Sequence, residues 1–407
     1  MTDLLLVGIG GYGHFYLQAL LHEPVDPDVR FVGAVDPFAA ASPHYADVLA
    51  AGVPIYERLD EFYAGHQADL AVIAAPIHLH APQTLMALAH GSHVLCEKPV
   101  AATLQDARRM AEAADQAGKF VAVGYQWSFS ATMQALKADI QAGVLGRPQR
   151  LKSYVLWPRG ASYFDRNRWA ARIRSDDGAW VLDSPVNNAA AHYLHNMLYV
   201  LGQSRATTAQ PANIQAELYR ANPIENYDTA ALRIVTEEGV EILFYTSHAV
   251  PQNDGPAFRY EFEEAVVEYG SASGSLSTAG PVIATFRDGR QKNYGDPFAD
   301  SANKLWQSAG AARTGAARTG AAVVCDVRTA MAHTLCVNGA QESSAIVTLP
   351  ERLVRQTGDV RWVDGLAEVL HRGFAENALP SELDDVPWSN RGVTIDLRTM
   401  THFPLRD

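Results

Sequence analysis

Three groups of residues in this chain have the types and spacing of working chemistry. Gly8-Ile9-Gly10-Gly11-Tyr12-Gly13 follows the apolar run Leu4-Leu5-Leu6-Val7 and precedes a helical pattern. In that setting Gly8, Gly10 and Gly13 serve a tight turn, a close approach of backbone to a pyrophosphate, and close packing of helix on strand. Asp36 comes 23 residues after Gly13, at the end of a second strand, where a carboxylate accepts hydrogen bonds from an adenosine ribose. Pro37, Phe38 and Ala39 follow, with no Arg or Lys to neutralise a 2′-phosphate, so the expected coenzyme is NAD rather than NADP.

The second group, Cys96-Glu97-Lys98-Pro99, closes the apolar strand His93-Val94-Leu95-Cys96. Proline fixes its own φ and drives Lys98 towards an extended conformation, so the ammonium leaves the strand end in a defined direction. Ligands of open α/β sheets bind at such ends. The third group is Asp183-Ser184-Pro185-Val186-Asn187-Asn188, with His192, His195 and Asn196 beyond it. Ser184 as N-cap and Pro185 as first helical residue predict a helix running to Leu201. On it Asn188, His192, and His195 or Asn196 share one face, while Ala190, Leu194, Met197 and Leu201 form a stripe for the core. Near the helix start the dipole disfavours an imidazolium, so His192 is expected neutral and able to take a proton. When a carbinol C–H leaves as hydride the hydroxyl must lose its proton, and a positioned base contributes about 10²- to 10⁴-fold. Lys98 would hydrogen-bond the same oxygen and stabilise its developing charge. Asn188 can orient an imidazole but cannot offset its charge; Asp183 could fold back to do so, or serve only the helix entry. The plainer reading of His192 and His195 is a solvated helix face. Tyr125, Gln126, Trp127, Trp157, Arg159, Trp169 and Arg172 are candidates for substrate contact, because indole faces pack on sugar C–H surfaces and guanidinium groups bind hydroxyls or carboxylates. The cluster from Arg166 to Arg172 is too polar for a core.

These groups need a scaffold, and the pattern predicts one. Residues 1–124 alternate short apolar runs (Leu4 to Val7, Phe31 to Val35, Leu70 to Ala74, His93 to Cys96, Phe120 to Val123) with helical stretches at His14 to His22, His80 to Ala89 and Leu104 to Ala117. That is the order of a doubly wound Rossmann domain with a parallel sheet. Residues 125–407 predict a second α/β domain for substrate binding and oligomerisation. It has helices at Ala131 to Ala142 and Pro185 to Leu201, then hairpins turning near Glu238-Gly239 and Asp288-Gly289 in an open antiparallel sheet. Gly310 to Thr319 repeats Gly-Ala-Ala-Arg-Thr and is expected as a connecting loop. Val327 to Val337 reads as a helix, and amphipathic pieces such as Trp362 to Phe374 as packing against the body.

Composition narrows the partners. With 407 residues, 48% hydrophobic and 19% charged, the chain is long enough for two globular domains. Its net charge of −12 argues against nucleic acid or an anionic membrane, both of which need clustered cations, and leaves a small molecule as ligand. Cys96, Cys325 and Cys336 are odd in number and lack metal-ligand spacing, so neither disulfides nor a metal site is expected. With no signal-peptide pattern at the start and no long apolar run, a cytoplasmic protein is expected.

In order, Gly8 to Gly13, Pro76 with His80, Gly91 to Pro99, Gly124-Tyr125-Gln126 and Gly146-Arg147-Pro148 make the chain resemble the Gfo/Idh/MocA family, and the likeness resumes over His192 to Gly202. The resemblance implies a Rossmann domain joined to an α/β domain with an open antiparallel sheet. It implies dehydrogenation of a sugar or cyclitol with a nicotinamide coenzyme, and a catalytic Lys98. It adds Gly11, Tyr12, Pro76, His80, Glu97, Lys98 and Gln126 to the coenzyme positions; from their side-chain chemistry Tyr125, Trp127, Trp169 and Arg172 are expected with Lys98 and His192 around the substrate. Family members commonly carry Asp four residues before the catalytic His, where this chain has Asn188. A homodimer or homotetramer is expected, because an open sheet leaves one face to be covered. Two other functions compete: an NAD-retaining enzyme that uses transient oxidation for elimination or glycosidic cleavage, and a non-catalytic NAD-binding regulatory protein.

Overall fold

The computed structural model describes residues 1–22, 26–270, 280–300, 302–314 and 323–405. The chain forms two compact units, the first made of Met1–Ala101, Gln105–Phe129 and Asp300–Met331, the second of Ala102–Leu104, Ser130–Ala299 and Ala332–Asp407. The division expected at 124/125 leaves out the returning segment, a contact between distant residues that no local pattern announces.

The first unit begins with β1 (Thr2–Val7), α1 (Gly13–Leu21), β2 (Val29–Val35), α2 (Tyr45–Ala50), β3 (Ile55–Tyr56), α3 (Leu59–Tyr63), β4 (Leu70–Ile73), α4 (Ile77–Ala89), β5 (His93–Cys96), α5 (Leu104–Ala117) and β6 (Val121–Val123). The six strands are all parallel, in the order β3-β2-β1-β4-β5-β6, which is the doubly wound Rossmann arrangement. β4 and β5 are buried at every residue, as their unbroken apolar runs require in a sheet covered on both faces. The order reverses beside β1, so β1 and β4 open a crevice at their carboxyl ends.

The second unit continues with α6 (Ala131–Gln141), β7 (Pro148–Leu156), α7 (Ala161–Phe164), a π turn (Pro185–Ala189), α8 (Ala191–Val200), β8 (Pro211–Arg220), β9 (Thr229–Thr236), β10 (Glu241–Ser247), β11 (Asp254–Phe262), β12 (Ala265–Tyr269), β13 (Val282–Phe286) and β14 (Gln291–Gly295). α9 (Asn303–Thr314) then belongs to the first unit, so the first half of the repeat expected as a loop is helical; residues 315–319 of that repeat lie outside the described residues. α10 (Val327–Ser343), β15 (Ile346–Thr348), the hairpin β16–β17 (Val354–Thr357 and Val360–Val363), α11 (Leu366–Glu376) and β18 (Ile395–Asp396) complete the chain. The large sheet runs β14-β13-β12-β11-β7-β10-β9-β8-β15, with β18 also on β8. It is mostly antiparallel rather than wholly so, since β10 pairs with β7, and β15 with β8, in parallel.

The face of this sheet expected to need a second copy is covered in part by the chain itself. Tyr154, Leu243 and Tyr245 on the strands pack with Leu366, Leu370 and Phe374 of α11 in one buried cluster. Lys152 Nζ donates to the Phe374 carbonyl at 2.7 Å, and Tyr245 Oη to the Gly373 carbonyl at 2.9 Å. Further along the same face, ion pairs take over: Arg150 with Glu241, Arg233 with Glu382, and Arg259 with Glu268. No helix among the described residues is long and apolar enough to cross a membrane.

Candidate coenzyme site and acid–base residues

The glycine turn after β1 is pinned on both sides. Gly8 N donates to the Val35 carbonyl at 2.8 Å and Gly13 N to the Gly10 carbonyl at 2.9 Å. A Cβ at Gly13 would run into the Gly8 carbonyl, so only glycine lets α1 start this close to the strand. Asp36 Oδ2 accepts from Ile9 N at 2.9 Å and Gly10 N at 3.3 Å, and Oδ1 accepts from Phe38 N at 2.8 Å. The carboxylate therefore shapes the turn besides ending β2 as an acceptor for a ribose. Around Gly10 and Gly11 the space is open: a Cβ at Gly11 would meet no atom within 4 Å, and one at Gly10 would meet Asp36 Oδ2 at 3.9 Å. A bare turn, a helix N-terminus behind it and a carboxylate beside it fit a dinucleotide.

Around the ends of β5 and β6 a polar cluster is closed in. Glu97 is 4% exposed; its Oε1 accepts from Tyr16 Oη at 2.6 Å and its Oε2 from Lys98 N at 3.1 Å. Glu97 Oε1 also pairs with Lys304 Nζ from α9, which donates in addition to Tyr12 Oη at 3.0 Å and the Gly124 carbonyl at 3.4 Å. Tyr12 Oη donates to Gln126 Oε1 at 3.3 Å. Burial pushes the Tyr16 phenol well up, with the Glu97 charge adding to it. Burial pulls the Lys304 ammonium down, but Glu97 and Tyr12 outweigh it and leave its pKa raised.

Lys98 is half-buried beyond this cluster. His80, on α4 just after Pro76, is buried with Nδ1 2.7 Å from the Pro99 carbonyl and Nε2 2.9 Å from the Ala75 carbonyl. Burial lowers its pKa against those two bonds, so the ring is a clamp between the ends of β4 and β5. Tyr125 and Trp127 are also buried, which leaves neither ring the open face expected for stacking on a sugar.

In the second unit the residues before α8 converge on Asp183, which is buried. Asn188 Nδ2 donates to its Oδ1 at 2.7 Å, Ala171 N to its Oδ2 at 2.6 Å, and Arg166 lies 3.4 Å from Oδ2. Asp183 thus does fold back on the turn that carries Asn188. Ala171 and Leu182 reach this geometry with φ of 54° and 51°, a left-handed conformation costly for side chains with a Cβ and concentrated at functional sites. Ser184 caps the next turn as expected, its Oγ accepting from Asn187 N at 3.2 Å.

The helix expected from Pro185 to Leu201 is broken. Pro185–Ala189 is a π turn, with Ala190 N on the Pro185 carbonyl, and the α-helix begins at Ala191. The extra residue in the turn shifts the phase, so a strict i, i+4 face does not run through. His192 is half-buried at the start of α8, whereas His195 and Asn196 are buried. Asn196 donates to Tyr260 Oη at 3.0 Å, and burial pulls the His195 pKa well down. Trp169 is half-buried, and Arg172 borders an open cavity of ≈ 680 Å³ with Phe164, Arg168, Asn222 and Arg361.

Residues 3–125 match the model of an oxidoreductase family with an NAD-binding Rossmann fold, and residues 133–268 match the GFO/IDH/MocA C-terminal domain. The chain belongs to the Gfo/Idh/MocA family. It is 30% identical over 200 residues to the 1-carboxy-3-chloro-3,4-dihydroxycyclohexa-1,5-diene dehydrogenase of Comamonas testosteroni, a match covering 49% of this chain and 48% of that one. It is 25% identical over 328 residues to the dTDP-3,4-didehydro-2,6-dideoxy-alpha-D-glucose 3-reductase of Streptomyces violaceoruber, covering 75% and 92%. For the first relatives the match spans half of their length or less. The WlbA dehydrogenase of Chromobactrium violaceum, solved with NADH and UDP-GlcNAcA, shares the fold with a TM-score of 0.66 at 22% identity, over 84% of this chain and 94% of that one. In the first compact unit, Tyr16 and Lys304 are positions around Glu97 that the sequence reading missed. No local signal marked Lys304: only the folded α9 puts it on a buried stripe with Ser308 and Ala311.

Proposed function

We propose that this chain is an NAD-dependent dehydrogenase acting on a secondary alcohol of a sugar, sugar acid or cyclitol. The observation that carries the reading is the half-buried Lys98, with its backbone N–H held by Glu97 and the next carbonyl by His80, at the end of a strand in the sheet whose glycine turn and Asp36 fit the dinucleotide. Gly8 to Gly13 and Asp36 would hold pyrophosphate and ribose, with Tyr12 and Gln126 beside them. NAD when bound supplies the hydride acceptor. Lys98 donates a hydrogen bond to the substrate oxygen, and His192 takes the hydroxyl proton. Asp183 orients Asn188 on the turn before α8 and sets the entry to that helix. Names of relatives support the substrate class: one is a D-glucoside 3-dehydrogenase of Escherichia coli and another an inositol 2-dehydrogenase of Rubrobacter xylanophilus. Arg172 and the cavity it borders suit an acidic or hydroxyl-rich substrate.

Absorbance at 340 nm after mixing protein, NAD and a panel of sugars, sugar acids and cyclitols tests this. Sustained growth with at least one of them is expected, and Lys98→Ala and His192→Ala should each slow it by about 10²-fold or more with NADH affinity nearly intact. Turnover undiminished in either variant refutes that residue's role. A homodimer or homotetramer in this reading would use surface outside the α11-covered part of the sheet, and light scattering compares its mass with the 44.2 kDa of one chain.

A further inference from the structure

Lys304 is 3% exposed, and its ammonium has an acceptor on each of three separate strand-end segments: Tyr12 in the glycine turn after β1, Glu97 after β5 and Gly124 after β6. Three N–H groups meet three acceptors, so the cation is fully satisfied. The rings of Tyr12 and Tyr16 lie 4.4 and 5.2 Å from Nζ and add cation–π attraction. Glu97 relays the contact onward, because its other oxygen holds Lys98 N. Its carboxylate also fills the room beside Gly124, where a Cβ would come within 2.7 Å of Oε1. A buried ion pair is a poor way to gain stability, since well-packed apolar side chains do as well or better. Its directional bonds instead fix the register of whatever they join.

We propose that Lys304 is a positioning residue for the coenzyme site, tying the glycine turn, the Glu97-Lys98-Pro99 segment and the Gly124-Tyr125-Gln126 segment into the one arrangement that binds NAD(H). This concerns coenzyme binding by the first unit and does not depend on the acid–base roles of Lys98 and His192. Without the ammonium, Tyr12 keeps only its 3.3 Å bond to Gln126 and loses its link to Glu97, and Glu97 is left as a buried charge without a counter-ion.

The test separates tethering from mere stability through NADH fluorescence titration and thermal unfolding of Glu97→Gln, Lys304→Met and the double variant. Lys304→Met should unfold at lower temperature and bind NADH at least tenfold more weakly. In the double variant the lone charge is gone, so the unfolding temperature should recover, but the tether to Tyr12 and Gly124 is still missing. It should therefore bind NADH at least fivefold more weakly than Glu97→Gln alone, in which Lys304 keeps those bonds. NADH affinities of the double variant and Glu97→Gln within twofold of each other would overturn the proposal, even if Lys304→Met itself failed to fold. Sugar turnover, the test of the dehydrogenase reading, is a separate measurement and can fail without touching this one.

Discussion

Replacing Asp36 by alanine should weaken NADH binding and leave NADPH binding nearly unchanged, and the contacts of the carboxylate set the size of each part. Asp36 Oδ2 holds Ile9 N and Gly10 N in the glycine turn, and the carboxylate keeps acceptor capacity that a bound ribose would use. A hydrogen bond to a charged group is worth about 1.5–3 kcal/mol. The carboxylate is half-buried, so water replaces part of that loss, and about 1–2 kcal/mol remains as the cost of a looser turn. At 1.4 kcal/mol per factor of ten, NADH affinity should fall roughly 5- to 30-fold. NADPH suffers the same loosening but escapes a repulsion. A 2′-phosphate carrying nearly two charges about 4 Å from a carboxylate costs about 2 kcal/mol even at the dielectric constant of water. The two effects nearly cancel, so NADPH affinity should change by no more than a few-fold and the preference for NADH should shrink by more than tenfold. Fluorescence titration of both coenzymes against both proteins measures this. Equal weakening of NADH and NADPH, or an unaltered protein that binds NADPH as tightly as NADH, would refute the reasoning.

Leu370→Ala should lower stability in urea by about 2–5 kcal/mol, as for other fully buried leucines. Leu370→Asp should lift α11 from Tyr154, Leu243 and Tyr245 and drive self-association visible by size-exclusion chromatography. Acid should also destabilise the fold, through histidines buried as neutral rings. Burial, helped by Arg159, pulls the His248 pKa down to about 3, while Nδ1–H donates to the Trp157 carbonyl at 2.8 Å. Unfolded, the ring titrates near 6.5, so below that pH the unfolded chain binds the extra proton. Stability is then full above about pH 6.5 and falls by about 1.4 kcal/mol per pH unit for this group as pH drops towards its folded value. Denaturation between about pH 6 and pH 4 should show that slope, and His248→Gln should flatten it.

What could be read from the chain beforehand follows the range of the interactions. The glycine turn, Asp36 and the strand ending in Cys96 are local patterns, and each stands where its pattern predicts. The turn at Pro185 is local too, yet nothing in the spacing of Asn188 and His192 distinguishes an α from a π turn. Lys304 meets Glu97 across 207 residues, and a lysine on a short amphipathic helix reads as a solvated charge until its partner is seen. The cover that α11 lays on the sheet was half visible: the amphipathic piece ending at Phe374 announced a buried face, but not which surface receives it.

The return of α9 to the first unit also bears on how the protein is made. A ribosome adding roughly 5–20 residues each second delivers Lys304 about 10–40 s after Glu97. Until then the first 129 residues can form their sheet but lack the cation that neutralises its buried carboxylate. They also lack Ala309, whose carbonyl accepts from Thr2 Oγ1 on the first strand, and Cys325, whose carbonyl accepts from Val123 N on the edge strand β6. The emerging chain therefore carries an unfinished nucleotide fold with an open edge while β7 to β14 of the large sheet are being synthesised. Final closure of that fold can come no earlier than the synthesis of Lys304, Ala309 and Cys325.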